Sequence, residues 1–294
     1  MTILSSKKIL ESFLKTNFNI LSANYPGINL RRLLWEMQEE IPCDQSLISH
    51  QSFHEDFFVF FEKLKRGMLE GVPLEYIFNR SSFLGVNFYV DSRVLIPRQE
   101  SEMLVDEALR FIHSCGKKSL KCLDIGVGSG VLGLSVLIQA HGHIHSLTGV
   151  DISESALAVA LLNQKKLSHY WPYSVEIKWI KADRLNFNHQ TYDLILSNPP
   201  YIKSSRMSEV HPQVRKFEPA SALFLPDNQY LDWFNLFFKQ VKTALNAGGI
   251  FLMEGHELEL SELAILAKQF FKQVELLQDL TSSPRFLRIS DVFA

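Results

Sequence analysis

The sequence is poor in cysteine. Three occur in 294 residues, Cys43, Cys115 and Cys122, with no Cys-x-x-Cys pair. An odd, scattered set argues against a disulfide framework or a thiolate zinc site and fits a reducing, cytoplasmic setting. Long uncharged runs are also missing: Lys7, Lys8, Glu11 and Lys15 interrupt the apolar N-terminus, and no segment reaches the roughly 18 to 20 apolar residues of a membrane span. A soluble, unprocessed chain is expected. There is no excess of either charge. A formal net charge of −2 argues against holding nucleic acid mainly by its phosphates, which needs a basic surface. Internal repeats and low-complexity stretches are absent as well.

What is present is ample core. Hydrophobic residues make up 46% of the chain and Phe alone numbers 22, and the length predicts two domains. Residues 1–73 read as a small helical bundle: Ile9, Leu10, Phe13 and Leu14, then Leu30, Leu33, Leu34 and Met37, then Phe57, Phe60, Phe61, Leu64 and Met68 recur at helical spacing. Asn24-Tyr25-Pro26-Gly27 and Ile41-Pro42 separate these stripes. Over 74–93 the period becomes two, with Leu84, Val86, Phe88 and Val90 as the apolar set and Asp91-Ser92 as a turn, which predicts a strand or β-hairpin linker. Residues 94–294 alternate apolar strands, at 121–125, 147–150, 175–180, 194–197 and 250–253, with helices near 131–139, 155–165 and 232–245. The expected fold is α/β, a doubly wound and mostly parallel sheet with helices on both faces.

In such a sheet ligands sit beyond the carboxyl ends of the strands. The first strand ends in Asp124-Ile125-Gly126-Val127-Gly128-Ser129-Gly130, where glycines allow a sharp turn and close approach, and the next helix offers unpaired N–H groups to an anion. Gly128, Gly130 and Gly133 match the dinucleotide fingerprint literally. Its placement differs, because Asp124 would bring a carboxylate close to a pyrophosphate. A carboxylate suits a cation, and S-adenosylmethionine carries an ammonium beside its sulfonium. Asp151, closing the second strand, is placed to accept from ribose hydroxyls, and Asp183, after the third, lies near the adenine. The bland alternative, a glycine turn that only packs a helix, leaves carboxylates at three successive strand ends unexplained.

The fourth strand ends in Asn198-Pro199-Pro200-Tyr201. Two prolines make a stiff, extended corner with no N–H of its own. The Asn198 side-chain oxygen and the Pro199 carbonyl can then serve as two fixed acceptors, a match for the two donors of a planar NH2 group. An amide nitrogen is a poor nucleophile because its lone pair is delocalised. Gripping both hydrogens would orient it and favour charge building on nitrogen in an in-line displacement. Tyr201 is expected to stack on the planar group, and no dedicated general base is evident. A merely structural corner with a buried tyrosine is the competing reading. The corner alone does not choose between an amide and an adenine amino group.

The whole pattern resembles the protein-(glutamine-N5) methyltransferases of the HemK or PrmC family, which modify class 1 peptide-chain release factors. The resemblance rests on Gly71 to Ile77, Val94-Leu95-Ile96-Pro97-Arg98 with Glu100 and Glu102, the Asp124 to Gly130 turn, Asp151-Ile152-Ser153, the Asn198 to Tyr201 corner with Ile202, and Phe217-Glu218-Pro219 before Ala222-Leu223. It implies a Rossmann-like class I methyltransferase domain and S-adenosyl-L-methionine held by Asp124, Gly126, Val127, Gly128, Ser129, Gly130, Asp151, Asp183, Arg184 and Asn198. It also implies catalysis by Asn198, Pro199 and Tyr201, with Pro200 completing the substrate contact. The implied acceptor is the glutamine of the Gly-Gly-Gln loop, and the helical start is the part that engages the release factor. Gln99 stands where the family commonly has proline, Arg184 where an aromatic residue often follows, and the usual glutamine after Glu254-Gly255 is missing.

Two other readings share the corner: glutamine methylation of a large-subunit ribosomal protein, disfavoured by Glu100 and Glu102, and N6 methylation of adenine in DNA or RNA, disfavoured by the near-neutral charge. A non-enzymatic nucleotide-binding module is a third. The alternating His141, His143 and His145 read as a polar loop entering the second strand, so no metal is expected. Leu231 to Phe238 reads as a buried helix start. A monomer without direct nucleic-acid or membrane contact is expected.

Overall fold

The computed structural model describes residues 3–26, 33, 50–186 and 190–290, and these form two compact units. Of the sequence expectations, Leu30, Leu34, Met37, the Ile41-Pro42 break and Cys43 lie outside the described residues, as does the side chain of Phe57.

The first unit comprises residues 1–80 together with 212–217. Its helices are α1 (Ile3–Thr16), α2 (Phe18–Asn24), α3 (His50–Glu70) and the single turn α4 (Leu74–Ile77). Leu10, Phe13, Leu21, Leu33, Phe61, Leu64 and Met68 are buried together, and the Phe13 and Phe61 rings meet edge to face with centroids 5.9 Å apart. The first and third helical stripes therefore pack as their spacing predicts. Residues 74–80, assigned to the linker on periodicity, belong to this unit. The unpaired carbonyls at the C-terminal end of α3 find partners: Asn24 Nδ2 donates to Met68 O, Gln213 Nε2 to Gly71 O at 2.8 Å, and the Lys216 ammonium to Glu70 O at 3.1 Å. A cation there also meets the negative end of the helix dipole.

The second unit, residues 81–211 and 218–294, opens with a hairpin of β1 (Ser81–Phe83) and β2 (Val86–Phe88). Leu84 and Gly85 form its tight turn, both at positive φ. That turn corrects the expected face: Phe83, outside the predicted apolar set, is buried with Phe88, whereas Leu84 sits in the turn. Continuous period-two alternation cannot survive a two-residue reversal, which reflects one strand back onto the other.

Next come α5 (Glu102–Ser114), β3 (Leu120–Ile125), α6 (Val131–Gln139), β4 (Ile144–Asp151), α7 (Glu154–Leu167), β5 (Glu176–Lys181) and β6 (Tyr192–Ser197). A small parallel pair, β7 (Ile202–Lys203) and β8 (Phe224–Leu225), brackets α8 (Pro212–Phe217), the helix that groups with the first unit. The chain ends with α9 (Tyr230–Ala244), β9 (Leu245–Glu254), α10 (Leu260–Ala267), β10 (Gln273–Gln278) and β11 (Pro284–Ser290).

Seven strands form one sheet in the order β10-β11-β9-β6-β3-β4-β5. Five are parallel, and β10 and β11 add an antiparallel edge. Both faces are covered, so the central strands are apolar throughout: Cys122, Leu194 and Leu252 pack on one side, Leu123, Ile195 and Phe251 on the other. From β3 the chain crosses to β4 on one side, and from β6 to β9 on the other. The crevice at such a reversal is where a doubly wound sheet holds ligands.

Candidate active site

The two sequence motifs meet because β3 and β6 are paired in register, Ile125 opposite Ser197. The Ser197 hydroxyl donates to the Ile125 carbonyl at 2.8 Å. The next residues, Gly126 and Asn198, therefore leave the sheet side by side, and a Cβ on Gly126 would stand 3.6 Å from the Asn198 carbonyl oxygen. Gly126, Gly128 and Gly130 all have positive φ, at 76°, 51° and 81°, conformations that cost a side chain but not glycine. The loop lies against β4 through the N–H groups of Gly126 and Val127, both donating to Val150 O.

Asp151 lines the cavity beside this loop. Its Oδ2 accepts from Gly128 N–H at 2.9 Å and its Oδ1 from Ser153 N–H at 2.8 Å, leaving lone pairs on both oxygens for hydroxyl donors. Burial raises its pKa against these hydrogen bonds. Ile152, next in sequence, is 62% exposed yet lines the same cavity, an apolar surface offered to a ligand.

Asp124 is placed differently from the expectation that it faces a cationic ligand. It is 1% exposed, lies outside the cavity wall, and accepts from the N–H of Gly133 at 2.9 Å. Along β3 its side chain points to the face carrying α6, whose N-cap is Gly130 and has no side chain to bond the first turn. Asp124 caps that turn from below, at the positive end of the helix. Its Oδ1 has no partner, and burial pushes its pKa up to about 7.

Asn198, Pro199 and Pro200 line the cavity, but Tyr201 does not. The Asn198 amide Nδ2 donates to Glu254 Oε2 at 3.1 Å and stands 3.4 Å from Ser101 Oγ. The Tyr201 hydroxyl donates to Glu254 Oε1 at 3.1 Å. The expectation that Tyr201 stacks on a ligand is thus corrected: its hydroxyl is committed to a buried carboxylate, and burial beside Glu254 drives its pKa well above 10, so it stays a donor. The register explains the arrangement. Ser197 pairs with Met253, so Asn198 and Glu254 emerge together from β6 and β9.

Other parts of the wall come from distant segments. Glu218, almost fully buried, accepts from Arg98 Nη2 at 2.6 Å and from Ile96 N–H at 3.0 Å. The segments Ile96-Pro97-Arg98 and Glu218-Pro219 are thereby joined across 120 residues of chain. Asp183 lines the cavity with its carboxylate on Arg184 Nη2 at 2.6 Å, and the Arg184 guanidinium lies over the Trp233 ring, 5.0 Å from its centroid. Sequence reasoning missed Trp233 because Phe234, Phe237 and Phe238 around it are wholly core. It also missed Ser101 and Glu254, for which a carboxylate closing a fully apolar strand was the available signal.

The lining residues surround a cavity of about 600 Å³, in the range of small-molecule sites. Among the described residues no group of His, Cys, Asp and Glu could hold a metal ion, and no helix is long and apolar enough to cross a membrane.

Residues 101–218 match the Methyltransferase small domain family. The release factor glutamine methyltransferase of Flavobacterium psychrophilum is 31% identical over 75% of this chain and 76% of its own length. That of Bacillus cereus is 29% identical over 98% of both chains. Among solved structures, the Thermus thermophilus 16S rRNA N2 G1207 methyltransferase in complex with AdoMet and guanosine superposes with a TM-score of 0.51 at 15% identity, covering 72% of this chain and 50% of that one. That likeness concerns the fold alone. With the glycine turn and the Asn198 corner at the switch point of a seven-stranded sheet, the chain belongs to the release factor glutamine methyltransferase family.

Proposed function

We propose that the protein transfers the methyl group of S-adenosyl-L-methionine to the side-chain nitrogen N5 of the glutamine in the Gly-Gly-Gln motif of class 1 peptide-chain release factors. The observation that carries this reading is the fixed amide of Asn198. Its NH2 faces Glu254 and Ser101, so its Oδ1 is left as an acceptor on a residue that lines the cavity.

The residues present fit the cosubstrate. Asp151 offers lone pairs to the ribose hydroxyls, Ile152 and the Trp233–Arg184 pair offer apolar and flat surface to the adenine, and the Gly126 to Gly130 loop brings bare backbone to the amino-acid end. Asp183 completes the adenine side. When bound, S-adenosyl-L-methionine would supply an electrophilic methyl carbon on a positively charged sulfur.

The chain's own residues do the rest. Asn198 Oδ1 and the Pro199 carbonyl accept the two N–H donors of the glutamine amide, and Pro200 keeps the corner free of competing N–H groups. Holding both hydrogens orients the nitrogen lone pair and stabilises the positive charge that grows on nitrogen. As the N–C bond forms, the methyl–sulfur bond breaks and its electron pair goes to sulfur, leaving S-adenosyl-L-homocysteine; one N–H proton becomes acidic and leaves to water, so no dedicated base is needed. Tyr201 acts through Glu254 rather than by touching the acceptor. The N-terminal helical unit, residues 1–73 by sequence, serves to engage the release factor, and the reaction belongs to the cytoplasm, where translation terminates.

The test is incubation with labelled cosubstrate and, in separate reactions, purified release factor, ribosomal protein and DNA or RNA, followed by peptide mass spectrometry. Label on the Gly-Gly-Gln glutamine is expected. Label only on ribosomal protein or on adenine would overturn the assignment.

A further inference from the structure

The Asn198 corner rests on a buried titratable group that does not itself line the cavity. Glu254 is 1% exposed, at the carboxyl end of β9. Three side chains from three separate segments converge on it: Asn198 Nδ2 and the Ser101 hydroxyl on Oε2, and the Tyr201 hydroxyl on Oε1. Ser101 occupies the N-cap of α5 but makes no capping bond there, although serine favours that use. Its hydroxyl is turned to Glu254 instead.

An asparagine amide has two orientations of nearly equal shape, related by a half-turn that exchanges acceptor and donor. Which one faces the glutamine decides whether the corner can grip an NH2 group. A carboxylate only accepts, so it holds the Asn198 NH2 toward itself and repels the flipped amide. A protonated carboxyl group would instead accommodate either orientation. We propose that Glu254, as a carboxylate, is the positioning residue that sets the amide orientation of Asn198 and so creates the acceptor pair used for methyl transfer. The inference rests on the methyltransferase reading of this site, but the orientation it describes is a property of the free protein.

The surroundings make the device sensitive to pH. Burial raises the Glu254 pKa above the ordinary glutamate value, opposed by the hydrogen bonds from Ser101 and Tyr201 and by the charge of Arg285 on β11, and assisted by Glu100 ahead of α5. As pH falls through that raised value the carboxylate takes a proton and its hold on the Asn198 amide is lost. Activity falls in acid with it.

The experiment compares wild type, E254A and E254D in the full chain. With release factor as acceptor, E254A is expected to lower kcat by about 100-fold while cosubstrate affinity stays within about threefold. E254D, which keeps an acceptor-only group, should recover about tenfold. Separately, the side-chain NH2 resonances of Asn198, assigned by their loss in N198A, should shift and exchange faster in E254A. In wild type they should also move with a single acid titration above the usual glutamate range. A kcat in E254A within about threefold of wild type, or an amide signal unchanged in E254A, overturns the proposal. If E254A does not fold, the wild-type titration decides: absence of an acid shift in the Asn198 amide overturns it. Wild type that methylates no release factor but shows the amide response supports the positioning role while refuting the substrate assignment.

Discussion

Ser197 donates its hydroxyl to the carbonyl of Ile125 at 2.8 Å, binding the last residues of two adjacent strands. This bond lies directly beneath the place where the glycine turn and the Asn198 corner part company. It fixes the separation between the cavity wall proposed to hold the cosubstrate and the amide proposed to hold the acceptor, a separation on which effective molarity depends steeply.

With that separation fixed by backbone, removing the Asn198 amide should affect reaction more than binding. Asn198→Ala is expected to reduce kcat by about 10²- to 10³-fold, the usual cost of deleting one preorganised polar contact. Cosubstrate affinity by calorimetry should change by about threefold or less. Near-normal turnover would remove the amide grip from the mechanism.

The positions of these groups were legible in the sequence to different depths. Parallel strands buried on both faces announce themselves as apolar runs, so β3, β4, β6 and β9 were readable. What a side chain at a strand end faces was not readable. Asp124 and Asp151 both close or nearly close a strand, yet one caps a helix inside the protein and the other lines the cavity. Strand parity separates them only once the helix covering each face is known. Glu254 depended on long-range register, since nothing local pairs Met253 with Ser197. Trp233 was hidden for a different reason, because helical periodicity ranks it with the core phenylalanines beside it.

Asp151→Ala should weaken cosubstrate binding by about 10- to 100-fold, the loss of one or two hydrogen bonds to a charged acceptor. Part of that loss would come from the turn, since Gly128 N–H and Ser153 N–H lose their acceptor as well. Asp151→Asn, which keeps one acceptor, should fall between. Calorimetric affinity equal to wild type in the alanine variant would refute the ribose assignment.

Glu218→Ala removes the partner of Arg98 and leaves the Ile96 N–H without its acceptor. Breaking a buried pair from one side costs about 3 to 5 kcal/mol. Because Arg98 remains one-third exposed and can be rehydrated, the lower end, about 3 kcal/mol, is expected in urea denaturation. Glu218→Gln keeps an acceptor for Ile96 and should lose less. Equal losses in the two variants would show that the backbone bond contributes little and the charge nearly everything.

The stability of the fold should itself depend on Asp124. Its pKa in the folded chain is about 7, against 3.8 for the ordinary group, so between those values the folded protein keeps a proton that the unfolded chain has lost. The folded state is then favoured at low pH, and that advantage disappears as pH rises through about 7, a swing of about 4 kcal/mol at most. Asp124→Asn retains an acceptor for the Gly133 N–H without the charge. Relative to wild type, the variant should therefore gain unfolding free energy steadily from about pH 4 to about pH 7 and level off above. Acid unfolding elsewhere in the chain affects both proteins and cancels in the difference. A difference that stays flat across this range would mean that the Asp124 carboxyl ionises at its ordinary pH and would overturn the linkage.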